Sequence, residues 1–360
     1  MNGSIRPIAW KDGAVVIIDQ RKLPRKLSYL RCETVERLAL AMEQMSLRGA
    51  PLLGIAAAYG AALGIWRSDQ SGIRQDFGTA VARLARTRPT AVNLFWALER
   101  MKRIFRETDF RKPLIRRGAI GEARRSLLAE AVRIHREDAE TCRQIGRNGA
   151  RLLPKNAAVL THCNAGILAT GGIGTALGIV YTAHRQGRIR MVYVDETRPL
   201  LQGARLTAWE LQRNKVPATL ICDNMAGGLM ARGTIGTVIV GADRIAANGD
   251  AANKTGSYGL AVLARRHGIP FHVAAPASTF DFGIRTGRDI PIEFRNEDEV
   301  RKLGRAWVAP EKIKAYNPSF DVIPHAYISA LVTEHGVIVK PDVRKLIPFK
   351  KLLNNIKVIY

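Results

Sequence analysis

The sequence is short of acidic residues, with 31 Asp and Glu against 56 Lys and Arg in 360 residues, a formal net charge of +25. Aromatic residues are also few, at 6% of the chain, so no ladder for base stacking accompanies the positive charge. The four cysteines, Cys32, Cys142, Cys163 and Cys222, form no C-x-x-C pair. That spacing excludes a zinc ribbon or redox dithiol and suits reduced thiols in the cytoplasm. The first fifteen residues lack the apolar core of a signal peptide. One uncharged run, Gly49 to Trp66, reaches the lower bound for a membrane span, but it contains Pro51 and several glycines and is rich in alanine. It reads as a closely packed helix of a soluble core, and no membrane partner is expected.

What is present is a globular composition, 47% hydrophobic. At roughly 150 residues per domain, the length suits two domains or one large one. The basic residues concentrate between Lys102 and Arg136 and again between Lys340 and Lys357. In the first stretch they alternate with acidic residues and leucines, as on the wet face of helices, so no specific nucleic-acid partner is expected.

Asp12-Gly13 between the apolar runs Ile8-Ala9-Trp10 and Ala14 to Ile18 signals a hairpin. Val35, Leu38, Met42 and Met45 then form one stripe of an amphipathic helix running up to Arg48-Gly49-Ala50-Pro51. Helical patterns follow over 74–105 and 119–150, interrupted by the turn Arg88-Pro89-Thr90. Residues 1–150 therefore read as a hairpin plus a mostly helical N-terminal domain.

From there the period changes. Short apolar runs at Ala157 to Thr161, Met191 to Val194, Ala218 to Cys222, Thr237 to Gly241 and Phe271 to Ala275 alternate with helix-length segments. This predicts a Rossmann-like α/β domain with a parallel sheet over 151–340, followed by a basic C-terminal extension at 341–360. The runs end in polar residues: His162-Cys163-Asn164, Asp195-Glu196-Thr197, Asp223-Asn224 and Asp243-Arg244. In open α/β sheets ligands bind beyond the carboxyl ends of the strands, where these residues would gather. The glycines of Gly171 to Gly178 are spaced G-x-G-x-x-x-G, which breaks the dinucleotide fingerprint and leaves single-phosphate cradling or close helix packing.

Several ordered motifs carry a resemblance. They include Arg48-Gly49-Ala50-Pro51, Arg88-Pro89-Thr90-Ala91-Val92-Asn93, Thr161-His162-Cys163-Asn164-Ala165-Gly166, Glu196-Thr197-Arg198-Pro199, Gly241-Ala242-Asp243-Arg244 and Asn253-Lys254-Thr255-Gly256. Over most of its length the chain resembles the family that unites methylthioribose-1-phosphate isomerases, ribose-1,5-bisphosphate isomerases and the regulatory alpha, beta and delta subunits of translation initiation factor 2B.

The resemblance implies an aldose-ketose isomerase acting on 5-methylthioribose 1-phosphate in methionine salvage, cytoplasmic and homodimeric, without metal or other cofactor. It assigns catalysis to Cys163 and Asp243. Substrate contacts would come from Arg48, Gly49, Ala50, Arg88, Gln202, Asn253 and Lys254. Alternatives are an isomerase of 5-deoxyribose 1-phosphate or ribose 1,5-bisphosphate, and a non-catalytic regulatory subunit. The chain departs from the family pattern at Phe294 and Ala326, where acidic residues are common.

Overall fold

The computed structural model describes residues 5–69, 72–107 and 116–359, with side chains for all of these except 116–119 and 354–359. Arg111 and Lys112 of the first basic stretch lie outside the described residues, as do the side chains of Arg116, Arg117 and Lys357. The chain divides into two compact units. One comprises the residues up to Cys142 together with Ile167–Gly174, and the other Arg143–Gly166 and the residues from Thr175.

In the first unit, Asp12 and Gly13 both take positive φ (48° and 70°) and join strands β1 (Ile8–Lys11) and β2 (Ala14–Ile18). A two-residue turn of this kind twists with its strands, as the Asp-Gly signal predicts. Strand β3 (Tyr29–Cys32) completes an antiparallel sheet. Helix α1 (Val35–Glu43) is capped by Thr34, whose hydroxyl accepts from the Arg37 amide, and it buries Leu38 and Met42.

The helix ends before the stripe does. Met45 has φ 60°, and the amides of Met45 and Ser46 bond back to the carbonyls of Met42 and Ala41. That pattern terminates helices, here with methionine where glycine is usual. A second helix, α2 (Ala50–Gly64), is buried at every residue from Leu52 to Leu63. A helix apolar on all sides belongs in a core. It packs against α3 (Ile73–Ala85) and α4 (Val92–Glu107), where an added Cβ on Gly54 would stand 2.8 Å from the Asn93 carbonyl oxygen. Among the described residues, no helix is long and apolar enough to cross a membrane.

Helix α5 (Arg116–Ala150) crosses the division between the units. The basic stretch it shares with α4 is partly used within the protein: Lys102 pairs with Glu99, Arg133 with Glu130, and Arg124 donates to the carbonyls of Ile65 and Ser68.

The second unit alternates as its sequence predicts: β4 (Ala157–Thr161), α6 (Ala176–Arg185), β5 (Ile189–Asp195), α7 (Ala208–Arg213), β6 (Ala218–Ile221), α8 (Ala226–Ala231) and β7 (Thr237–Val240). Strands β8 (Arg244–Ala246) and β9 (Ala251–Lys254) follow, then α9 (Ser257–Arg266), β10 (Phe271–Ala274) and β11 (Phe280–Asp281). After α10 (Asp298–Arg301) and the small hairpin of β12 (Lys302–Leu303) and β13 (Ala306–Trp307) come β14 (Phe320–Ile323), β15 (Ala330–Thr333), β16 (Gly336–Val339) and α11 (Val343–Ile359).

Among the described residues the main sheet has the order β16-β15-β10-β7-β4-β5-β6, parallel except for β16. Counted from β4, its parallel strands run 3-2-1-4-5-6, the Rossmann order. Val159, Leu160, Val238, Val240 and Val273 are fully buried, as strands covered on both faces require. A second sheet, β11-β8-β9-β14, was not legible in sequence, because segments as short as Arg244–Ala246 carry no period. The C-terminal basic segment is mostly helix α11, which seats Leu346 and Phe349 in the core of this unit.

Candidate active site

The strand order reverses between β4 and β7, which pair directly through Val159 with Thr237 and Leu160 with Val238. A crevice opens at such a switch point because the connections leave in opposite directions. Cys163 follows β4 and Asp243 follows β7, so the two expected catalytic residues stand at the carboxyl ends of neighbouring strands.

Cys163 is half-buried and has φ 63°, a conformation that costs a non-glycine residue roughly 1 kcal/mol or more. Both sides of its peptide are held. Its amide donates to Thr197 Oγ1 at 2.8 Å, and its carbonyl accepts from Thr207 Oγ1 at 2.6 Å. Thr197 is itself left-handed (φ 65°), and its hydroxyl donates to the Asp195 carbonyl. The amides of Thr197 and Arg198 donate to the two oxygens of Asp223, each at 2.7 Å. Asn164 donates to the buried Glu210, which also accepts from Tyr181.

His162 is buried with both ring nitrogens engaged, Nδ1 3.0 Å from Asp195 Oδ2 and Nε2 2.9 Å from the Thr255 carbonyl. Burial opposes charge on this ring, but the Asp195 hydrogen bond and the charges of Asp195 and Asp223 outweigh it and raise its pKa. Burial also raises the pKa of Asp195, against the pull of His162. The candidate ligand atoms of His162, Asp195 and Asp223 lie within 4.8 Å of one another, a spacing that would suit a cation. However, both His162 ring nitrogens are already engaged, by Asp195 and by the Thr255 carbonyl, which leaves the imidazole no lone pair for a cation.

Asp243 donates its amide to the Ala252 carbonyl, and Arg244 pairs with Ala252 across β8 and β9. Asn253 and Lys254 follow Ala252 along β9. Both side chains are buried; Asn253 donates to Ser257 Oγ at 2.8 Å, and the Lys254 ammonium lies 5.5 Å from the Phe320 ring centroid. Gln202 is 2% exposed, and its buried Oε1 accepts no hydrogen bond from the described residues.

The remaining expected contacts lie in the first unit. Gly49 has φ 105° and presses on Ala169, where an added Cβ would stand 2.6 Å from the Ala169 Cα. Ala50 begins α2, whose N-terminus has no side-chain cap and follows Arg48. A helix end of this kind attracts anions through its dipole and free amides. Arg88 is 9% exposed and donates from Nη1 to Met45 Sδ at 3.2 Å. In the same unit Gly171 donates its amide to Asp138, and an added Cβ on Gly172 would stand 2.8 Å from the Ala139 Cα. These two glycines therefore serve close packing.

Sequence reasoning picked out the strand-end groups Asp195, Thr197 and Asp223 without assigning them work. Nothing in the sequence pattern singles out Thr207 or Glu210, whose partners Cys163 and Asn164 lie more than forty residues away.

The sequence profile of the initiation factor 2 subunit family matches residues 46–340. A methylthioribose-1-phosphate isomerase of Carboxydothermus hydrogenoformans is 49% identical over 342 residues, 94% of this chain and 97% of that protein. A 5-deoxyribose 1-phosphate isomerase of Moorella thermoacetica is 51% identical over 342 residues, 94% of this chain and 95% of its own length. Among solved structures, the 5-methylthioribose 1-phosphate isomerase of Pyrococcus horikoshii superposes with a TM-score of 0.89 at 42% identity, covering 97% of each chain. The chain belongs to the initiation factor 2 subunit family.

Proposed function

We propose that the protein is an aldose-ketose isomerase that converts 5-methylthioribose 1-phosphate to 5-methylthioribulose 1-phosphate in methionine salvage. The reading rests on near full-length identity of about half to isomerases of this name, in a chain that sets a cysteine and an aspartate at the switch point of its sheet.

The chemistry explains the pair. Phosphate on the anomeric oxygen prevents spontaneous opening to an aldehyde, so the C1–O ring bond must break with the phosphate in place. Asp243, protonated at the start, donates its proton to the ring oxygen as that bond breaks. Hydrogen then moves from C2 to C1. In one route the Cys163 thiolate takes the C2 proton to give an enol phosphate, and a proton returns to C1. In the other, hydride shifts from C2 to the electron-poor C1 while Cys163 stabilises the charge. Either way the C2 hydroxyl gives its proton to the Asp243 carboxylate as the ketone forms, which restores the starting acid.

Arg48, Arg88 and Lys254 would contact phosphate or its neighbouring hydroxyls, Gly49 and Ala50 would offer backbone amides, and Gln202 and Asn253 would hydrogen-bond the sugar. The protein would work in the cytoplasm as a homodimer on this small sugar phosphate, without specific nucleic acid or membrane partners. A second reading, 5-deoxyribose 1-phosphate as substrate, is favoured by the 51% identical relative of that name.

The test is an assay of the purified protein on 5-methylthioribose 1-phosphate, 5-deoxyribose 1-phosphate and ribose 1,5-bisphosphate. Cys163→Ala and Asp243→Asn should each lower kcat at least a hundredfold. Full activity in either variant removes that residue from the mechanism. A wild type that converts none of the three favours a regulatory role.

A further inference from the structure

We propose that His162 and Asp195 hold one shared proton that keeps the Cys163 peptide in its left-handed conformation, making the pair a positioning device for the catalytic cysteine. The inference rests on the catalytic reading of Cys163 given above.

The proton follows from the hydrogen-bond inventory. A carbonyl only accepts, so the 2.9 Å contact of His162 Nε2 with the Thr255 carbonyl puts a hydrogen on Nε2. The 3.0 Å contact between Nδ1 and Asp195 Oδ2 then needs a second hydrogen, on Nδ1 or on the carboxyl. When that hydrogen leaves, a nitrogen lone pair faces a carboxylate lone pair, and the contact cannot survive. Asp195 has no reserve, because its buried Oδ1 accepts no hydrogen bond from the described residues.

A short chain of bonds connects this pair to the cysteine. The Asp195 carbonyl accepts from the Thr197 hydroxyl, and the same hydroxyl oxygen accepts from the Cys163 amide. Cys163 is also the next residue after His162. A shift of Asp195 at the end of β5 therefore moves the group that restrains Cys163.

The surroundings favour keeping the proton. The charges acting on His162 include Asp195 from β5, Asp223 from the turn after β6, and Asp321 from β14. Glu196 acts on Asp195 from the next position. Asp321 accepts the amides of Gly256 and Tyr258 at the start of α9, and an added Cβ on Gly256 would stand 2.9 Å from the His162 ring. The imidazole thus sits among carboxylates, with the glycine backbone against one edge.

Nuclear magnetic resonance of selectively labelled full-length protein tests this directly. In the wild type, the His162 ring should carry hydrogen on both nitrogens, or share one with Asp195, at neutral pH. It should lose one proton in a single alkaline step, and the Cys163 amide resonance should move at the same pH. Asp195→Asn replaces the shared proton with a fixed amide donor to Nδ1. In that variant the ring should stay neutral with hydrogen on Nε2, and the Cys163 amide should show no step. Its kcat, several-fold below wild type, should lack the wild-type fall across that step, whereas Asp195→Ala should lose at least tenfold at all pH values.

A wild-type Cys163 amide that ignores the His162 step overturns the proposal, as does an Asp195→Asn variant that keeps the wild-type step. If the coupled step is present but none of the sugar phosphates is isomerised, the proposed function fails and the positioning device stands.

Discussion

The amide of Cys163 donates to Thr197 Oγ1 at 2.8 Å, and both residues occupy left-handed backbone, at φ 63° and 65°. Two strained non-glycine residues at neighbouring strand ends thus brace each other. Thr197→Val keeps the shape and removes the acceptor. It should cost about 1–3 kcal/mol of stability and lower kcat at least tenfold, with a smaller change in KM. Chemical denaturation and steady-state kinetics on one preparation check both. Unchanged kcat would separate the brace from catalysis.

Gly49 combines φ 105° with backbone contact against Ala169. Gly49→Ala would force a Cβ into that contact in a conformation alanine avoids. Loss of about 2–4 kcal/mol is expected, read as a fall in the denaturation midpoint. A midpoint within error of wild type would show that the helix start has room to shift.

His272 lies inside β10, and burial pulls its pKa from 6.5 down to about 4. The folded state therefore binds fewer protons than the unfolded state between these values. Stability from this group is complete above pH 6.5 and is lost as pH falls toward 4, by about 3 kcal/mol. Subtracting the stability profile of His272→Leu from that of the wild type should isolate this slope. Parallel profiles would contradict it.

Arg100 joins α4 to α5 by pairing with Glu130, which is 4% exposed, and with Glu137. Arg100→Ala leaves Glu130 with Arg133. Breaking one side of so buried a pair should cost about 2–3 kcal/mol, partly recovered in Arg100→Ala with Glu130→Gln. A double variant no more stable than the single would argue against the pairing.

The surplus of +25 should give only weak nucleic-acid binding that fades between 50 and about 200 mM salt, because it rests on phosphate neutralisation alone. Electrophoretic shift at both salt concentrations tests this. Tight, sequence-selective binding at the higher concentration would point to a second ligand.

Much of the architecture was legible because its signals are local. Asp12-Gly13 specifies its turn by allowing two positive φ values, and the run Ala157 to Thr161 matches β4 residue for residue. Cys163 and Asp243 were visible as polar residues at strand ends. The end of α1 was not, since the apolar stripe runs on through Met45 while the backbone turns left-handed there. The short strands β8 and β9, which pair Arg244 with Ala252 just after Asp243, hold too few residues to show a period.

Periodicity, turn chemistry and motif order thus suffice for the alternation of strands and helices and for the family. They carry no information on which strands become neighbours, since that depends on burying apolar surface contributed from across the chain. The β4–β7 pairing joins residues such as Leu160 and Val238, and the frame around Cys163 draws on Asp195, Thr197, Thr207 and Asp223. Those bonds exist because the folded sheet brings its strand ends together and leaves their polar groups to satisfy one another away from water.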